Sequence, residues 1–232
     1  MPARQPRSNT RARPLRTRAP EETRERLVTA AFEEIHRHGY QGTGLDTILA
    51  NAGVTKGALY HHFADKADLA HAVIDEVIRG LTLQRWTGPL ASYEGDPISG
   101  IELVLDVVEA EFCDSRFVDR VELGCPLNNI AQEMSPLDER FRRRVVVVFE
   151  AWIESFARAL ERGREDGSVR RDVDARKVAT FLVSSIEGSF GLAKTAKSAM
   201  LLRENFEVLR DFLETLRKAP RTVEAKRGRA AR

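Results

Sequence analysis

The feature that most restricts the fold of this chain is the spacing of its apolar side chains, which recur every three or four residues. The clearest stripes are Leu69, Val73 and Val77; Ile98, Ile101, Leu105, Val108 and Phe112; and Phe141, Val145, Val148, Trp152, Phe156 and Leu160. A period near 3.6 residues places these side chains on one face of a helix, whereas a half-buried strand alternates every second residue. The sequence therefore predicts an all-α fold.

Glycine and proline mark the expected helix ends. A first helix is predicted from Pro20 to Gly39, because proline suits a helix start and glycine suits a left-handed end. Later helices are predicted to end at Gly167 and to run over 174–197 and 201–218. The stretch 82–96 contains two glycines and a proline, and it is predicted to be a loop.

Basic residues concentrate at the two ends of the chain. Residues 1–20 hold six arginines and no acid, and residues 217–232 hold seven lysines and arginines against one glutamate. The 196 residues between them carry 24 basic and 34 acidic side chains. Residues 1–19 and 219–232 have little apolar content and are predicted to be disordered. The arginine arm is expected to bind DNA phosphates or a minor groove, and the alternative is a tail that only solvates the protein.

A helix-turn-helix pattern lies between residues 43 and 63. Two short helical stretches flank Ala52-Gly53-Val54, with glycine where the turn needs a positive φ angle. Thr55 is placed to cap the second helix, whose start is small on its exposed side. Such a helix can enter a DNA major groove, which is about 12 Å wide, and Lys56 with the N–H groups of the helix start suits phosphates. The pattern predicts sequence-specific DNA binding.

The same segment resembles the tetracycline repressor (TetR/AcrR) family over the 55 residues from Glu22 to Glu76. The matching positions are Thr43 to Ile48, Ala52 to Phe63, Lys66 and Leu69. The resemblance implies a homodimeric transcriptional repressor with an N-terminal three-helix DNA-binding domain. It also implies a helical C-terminal domain that dimerises and binds a small-molecule effector. The domains are then expected at 1–19 (basic arm), 20–81 (DNA binding), 82–218 (effector binding and dimerisation) and 219–232 (basic tail).

The resemblance also assigns residues to the DNA contact. They are Thr43, Thr55, Lys56, Gly57, Ala58, Tyr60, His61 and Lys66, with Tyr60 and Lys66 on phosphates. Gly44 departs from the family, which often has a serine or threonine cap there, so one phosphate contact is expected to be missing. Leu49 replaces a commonly small residue, so the crossing of the two helices is expected to differ. The alternative is that the lysine and the histidines are ordinary surface residues.

A second resemblance concerns Gly124-Cys125-Pro126, which lies between two predicted helices. Together with Gly42 to Leu45 it is similar to a NemR-like subgroup of the family, in which a cysteine at this place senses electrophiles or oxidants. The resemblance therefore implies a sensing role for Cys125. A thiol at a helix start is expected to be acidified by the helix dipole. The alternative is a buried structural thiol.

The last two predicted helices, 174–197 and 201–218, carry apolar stripes that either complete the core or pair with a second copy. In the family they form the dimer interface, and a dimer sets two recognition helices about 34 Å apart, one turn of DNA. An apolar or reactive effector is expected between Ile98 and Phe190.

Other functions have less support. A protein that binds DNA nonspecifically through its basic tails is the main alternative, and an all-helical enzyme or carrier is a further one. We expect no catalysis, no metal and no cofactor, because the sequence has no nucleophile motif and no metal-ligand spacing of histidines. It also lacks a secretory start and a membrane-length apolar run, and its two cysteines are too few for a disulfide framework. A cytoplasmic protein is expected, with a palindromic DNA operator, an effector and a second copy as partners.

Overall fold

The structure is a computed structural model that describes residues 18–113 and 118–218. Within these ranges the backbone is helical apart from short connections and one isolated bridge between Val169 and Arg217. The predicted all-α fold is confirmed. Residues 1–17 of the arm and the whole tail, 219–232, lie outside the described residues, so what was expected of them stays a prediction.

The chain divides into two compact units, of which the first ends at Val73. Its helices are α1 (Arg18–Gly42), α2 (Leu45–Ala52), α3 (Lys56–His62) and α4 (Lys66–Ala72). Residues Leu27, Ala31 and Ile35, at steps of four along α1, are buried in one core with Ile48 of α2 and Leu59 of α3. The backbone at Gly39 leaves the helical region, with φ 75° and ψ 165°, although helical hydrogen bonding resumes up to Gly42.

The second unit begins at Ile74, earlier than the boundary expected after residue 81. The following helical segments are Val73–Ile78 and Leu83–Thr87, both π-helical, with α5 (Arg79–Thr82) and α6 (Gly88–Ala91). The predicted loop over 82–96 is therefore wrong as far as Ala91. Trp86 is buried and stacks on Trp152 with ring centroids 4.6 Å apart, and this packing outweighs the helix-breaking tendency of Gly88. Pro89 lies in the first turn of α6, where its missing N–H costs nothing.

The rest of the second unit packs around one long central helix. Its helices are α7 (Pro97–Phe112), α8 (Val118–Leu123), α9 (Pro126–Met134), α10 (Glu139–Asp166), α11 (Ala175–Ala196) and α12 (Ala199–Glu214). Three aspartates cap α7, α10 and α11 by accepting backbone N–H bonds from Ser99, Arg140 and Lys177 at 2.9, 2.7 and 3.1 Å. Gly167, with φ 85°, ends α10 as predicted. α10 contacts α7, α9 and α11, so the stripe from Phe141 to Leu160 forms the middle of the core.

Candidate functional site

The turn between α2 and α3 is held by its own backbone and by an arginine from α1. Gly53 adopts the left-handed conformation, with φ 61°, and the Val54 N–H donates to the Leu49 carbonyl at 3.1 Å. The Arg26 guanidinium donates to the carbonyls of Ala52 and Gly53, the latter at 3.0 Å. A charged donor on carbonyls that the end of a helix leaves unpaired fixes the angle at which α3 leaves the turn.

Sequence reasoning missed Arg26. The one available signal is general: carbonyls at the end of a helix need donors. It does not say which side chain supplies them, and Arg26 is 26 positions from Ala52 in sequence.

The second helix of the motif buries one side and exposes the other. Thr55 caps α3 as predicted, since its side chain accepts the Ala58 N–H at 3.3 Å. Leu59 is fully buried, whereas 52% of Tyr60 is exposed. The positions assigned to DNA by resemblance that are also exposed are Thr55, Lys56, Gly57, Tyr60 and His61, with Ala58 partly exposed. The arrangement presents a narrow polar face on a rigid support.

Two neighbouring histidines end α3. The rings of His61 and His62 meet edge to face, with centroids 5.0 Å apart. Partial burial, and then the nearby His61 and Arg24, lower the pKa of His62 below its ordinary value. His62 therefore adds no positive charge to this face at neutral pH.

Thr43 and Lys66 are occupied inside the unit. Thr43 is only 3% exposed, and its hydroxyl donates to the Gly39 carbonyl at 2.7 Å. The Thr43 side chain is thus engaged inside the unit, and its contact with DNA stays a prediction. Lys66 Nζ donates to the Thr43 carbonyl at 2.7 Å and lies 4.3 Å from the Tyr40 ring centroid. These contacts position Lys66, and its contact with a phosphate stays a prediction.

The two departures from the family pattern have distinct structural effects. Gly44 begins α2 with an extended backbone, at φ −82°, and offers no side-chain cap. Leu49 is buried, with 7% exposed, so it belongs to the core between the helices and not to the DNA face. The missing cap is thus a local loss at the start of α2.

In the second unit, Cys125 follows a glycine break much like the turn of the motif. Gly124 has φ 68°, and Cys125 occupies the cap position of α9 without a side-chain cap bond. Burial raises the pKa of the Cys125 thiol well above its ordinary value, and the Glu187 carboxylate raises it further. The expected acidification by the helix dipole is therefore wrong, because burial and a negative neighbour outweigh it. The sensing role itself stays a prediction.

The space between Ile98 and Phe190, where an effector was expected, is filled by the core. Both residues are buried, and the Phe190 ring lies 4.7 Å from that of Phe112 and 6.2 Å from that of Phe206. The described residues form cavities elsewhere in this unit. One of about 300 Å³ lies along α7, and one of about 420 Å³ lies between α9, α10 and α11.

Glu187 of α11 lines the larger cavity, and sequence reasoning missed it as well. The residue is only 6% exposed, and burial raises the pKa of its carboxyl group to about 7. Its sequence position, one glutamate among helical residues, carries no signal of burial. Among the described residues there is no group of three or more histidine, cysteine or acidic side chains that could hold a metal ion. None of the described helices is long and apolar enough to cross a membrane.

Comparison with known proteins agrees with this geometry. Residues 27–73 match the family described as "Bacterial regulatory proteins, tetR family", and residues 106–209 match "Tetracyclin repressor-like, C-terminal domain". The transcriptional regulator AcuR of Cereibacter sphaeroides is 30% identical over 172 residues, which cover 72% of this chain and 74% of AcuR. The chain belongs to the TetR family.

Further TetR-family relatives cover most of the chain. The HTH-type transcriptional repressor DhaR of Mycobacterium sp. (strain GP1) is 28% identical over 82% of this chain and 88% of DhaR. A TetR regulator of Chloroflexus aurantiacus J-10-FL has a solved structure with a TM-score of 0.76 and 29% identity, covering 86% of this chain and 98% of that one. The chain is accordingly a sequence-specific DNA-binding transcriptional regulator, as the helix-turn-helix predicted.

The NemR-like resemblance is also supported. The HTH-type transcriptional repressor NemR of Escherichia coli is 28% identical over 62% of this chain and 70% of NemR. The reduced form of E. coli NemR shares the fold, with a TM-score of 0.75 over 86% of this chain and 99% of that one.

Proposed function

We propose that this TetR-family chain is a homodimeric repressor that reads a palindromic operator with α3 and leaves it when a small molecule binds the second unit. The observation that carries the proposal is the exposed face of α3, held by Arg26 and Gly53 in a fixed turn. Lys56 and Tyr60 on this face supply one charge and one hydroxyl toward DNA, and Gly57 allows a close backbone approach. Such a regulator acts where bacterial DNA lies, in the cytoplasm.

Dimerisation is proposed through the outer faces of α11 and α12. Phe181 and Leu192 of α11 are 49% and 57% exposed, and Val208 of α12 is 66% exposed. A side chain built on Gly191 would meet nothing within 4 Å, so a helix of a second copy can approach closely there. Apolar exposure on two adjacent helices supports an interface of the family's four-helix type. Light scattering of the wild type and of Leu192→Glu tests it, with a dimer and a monomer expected.

The DNA-binding proposal is tested by footprinting on the DNA that flanks the gene for this chain. A protected palindrome is expected, and Tyr60→Ala or Lys56→Ala should weaken binding by about tenfold or more, since one lost contact recurs in both half-sites. Thr29→Ala, an exposed change on α1 of the same unit, is the matched control and should leave the footprint unchanged. Equal affinity for operator and scrambled DNA would instead support nonspecific binding through the basic ends.

The arginine arm is proposed to add phosphate contacts. Removing residues 1–17 leaves the described start of α1 in place. Operator affinity should fall and its dependence on salt should become flatter, because fewer counterions are released. An unchanged salt slope would show that the arm only solvates the protein.

A further inference from the structure

We infer that the cavity between α9, α10 and α11 binds an organic cation with an apolar body, and that the Glu187 carboxylate is the charge partner of that cation. The inference rests on the proposed function and deepens it, because it gives the chemical class of the effector. It assigns to Glu187 the role of selecting for positive charge.

The unusual feature of Glu187 is that it is buried without a cationic partner among the described residues. The residue is 6% exposed, and among the described residues no nitrogen or oxygen donor bonds to either carboxylate oxygen. The Cys125 thiol acts on it only as a weak donor. A buried carboxylate is costly unless a cation or several donors compensate for its lost hydration. A cationic ligand would supply what the described side chains do not.

Two other acidic groups in this unit are already paired with arginines. Glu111, which lines the smaller cavity, lies 2.6 Å from Arg85 and 2.8 Å from Arg120. Glu109 of the same helix lies 2.6 Å from Arg210 and 3.1 Å from Arg203. The smaller cavity therefore has its acid neutralised by the protein, which favours the Glu187 cavity as the cation site.

The residues that line the larger cavity indicate the chemistry of the rest of the ligand. Phe149 and Ile153 of α10 and Val183 of α11 are apolar and suit an aliphatic or aromatic body. The amides of Asn128 and Gln132 on α9 add neutral polar contacts. A volume of about 420 Å³ is within the range of small-molecule sites.

Few charged side chains lie near Glu187. Cys125, at the start of α9, is the side chain that acts on its pKa, and the residues of α9 and α10 that line the cavity are uncharged. On its own helix, Lys194 lies seven residues further along, and its Nζ donates to Asn129 at 3.0 Å. An anionic ligand would meet repulsion from Glu187, and a neutral one would leave the carboxylate without a counter-charge.

The first test compares two probes of matched shape by calorimetry on the full chain, without DNA. The probes are 4-phenylbutylamine, which is a cation near neutral pH, and the uncharged 4-phenylbutan-1-ol. The amine should bind at least about tenfold more tightly, since only it pairs with a buried carboxylate. Glu187→Gln should weaken binding of the amine by about tenfold and change the affinity for the alcohol by less than about twofold. Glu204→Gln, an exposed change on α12, is the matched control and should behave as wild type.

The second test uses pH. Because the pKa of the Glu187 carboxyl is about 7, the ionised carboxylate that can pair with an amine is scarce below that pH and dominant above it. Amine affinity should rise about tenfold between about pH 6 and about pH 8 in the wild type and stay flat in Glu187→Gln. If that variant does not fold, the wild-type probe pair and pH profile decide the matter alone.

Several outcomes would overturn the inference. They are equal affinity for the two probes, no detectable amine binding at millimolar concentration, or a Glu187→Gln change that alters dimer dissociation and not amine affinity. The last result would place the carboxylate in the subunit interface. Since binding is measured without DNA, a failed probe test beside an intact footprint removes only the cation inference. A lost footprint beside intact amine binding removes only the proposed operator function.

Discussion

One glycine in each unit, Gly53 or Gly124, is called a glycine break here because it interrupts the helices; the two breaks have similar backbones but lead into helices with different surroundings. Gly53 and Gly124 both adopt a left-handed backbone, with φ 61° and 68°, and each precedes a short helix. Thr55 caps its helix with a hydroxyl, whereas Cys125 makes no cap bond. The local backbone device is therefore shared, and the side chain at the cap is the first difference.

The second difference is what holds each break. Arg26 places a full charge on the carbonyls of the first break, and α3 then exposes its polar face. At the second break Asn129 donates to the Leu123 carbonyl at 2.8 Å, and α9 buries Leu127 and lines a cavity. A glycine in the left-handed conformation thus sets the direction of the chain, while contacts from distant helices decide whether the next helix faces outward or inward.

The largest expected effect concerns the inward-facing break. The folded state keeps a proton on Glu187 up to about pH 7, whereas the unfolded chain releases it near pH 4.5. Because the folded state then binds more protons, the contribution of Glu187 to stability is full below about pH 4.5 and is lost as pH rises through about pH 7. The unfolding free energy should fall by up to about 3 kcal/mol over that window.

Glu187→Gln should remove this fall, so the variant should be more stable than wild type at about pH 8 by up to about 3 kcal/mol. Urea unfolding across the pH range measures it. Parallel curves of unfolding free energy against pH for the two proteins would mean that folding does not raise the pKa of Glu187.

The next effect concerns the outward-facing break. Gly53→Ala forces a side chain into a left-handed backbone and places Cβ 2.7 Å from the Arg26 guanidinium. The first unit should lose about 2 kcal/mol of stability, read from hydrogen exchange of the α2 and α3 amides.

Gly57→Ala is the matched control, because its Cβ would meet only Thr55 Oγ1, at 3.9 Å. It should stabilise the unit by up to about 1 kcal/mol and still weaken operator binding, since the added methyl lies on the DNA face. Equal stability of the two alanine variants would rule out a special role for the first break.

A smaller effect is expected on the reactivity of Cys125, the residue at the cap position of the second break. In a Cys113→Ser background, Cys125 should react slowly with iodoacetamide near neutral pH, because burial and Glu187 hold the thiol pKa high. Adding Glu187→Gln should speed the reaction several-fold at about pH 8, where the carboxylate is charged, and hardly at all at about pH 6. Fast alkylation of the single-cysteine protein would contradict the raised pKa and strengthen the sensor prediction.

The smallest effect concerns the start of α2. Gly44 has an ordinary extended backbone, and an added Cβ would lie 3.5 Å from Thr47 Oγ1, which is a normal contact. Gly44→Ser should supply the absent cap and raise the unfolding free energy by about 0.5 kcal/mol, as measured by thermal melting, with Gly44→Ala as the control that lacks the hydroxyl. Equal stability of the serine and alanine variants would mean that the cap contributes nothing.

Features that depend on neighbouring residues were predicted well, and features that depend on distant contacts were not. The turn at Gly53, the Thr55 cap and the end of α10 at Gly167 depend on residues a few positions apart, and each is found as expected. The loop over 82–96 was predicted from glycine and proline alone, and it is wrong as far as Ala91 because Trp86 finds a distant aromatic partner. The burial of Thr43 was missed for the same kind of reason, since burial cannot be read from one position.

By itself, the sequence determined the all-helical class, the place of the helix-turn-helix and the residues on the exposed side of α3. These follow from period, cap and turn chemistry, which act over one or two helical turns. Only the tertiary structure decided that Arg26 holds the turn, that the thiol of Cys125 is not acidified and that Glu187 is a buried acid beside a cavity. The physical reason is that hydration and charge pairing depend on which distant helices meet, and spacing along the chain does not encode that.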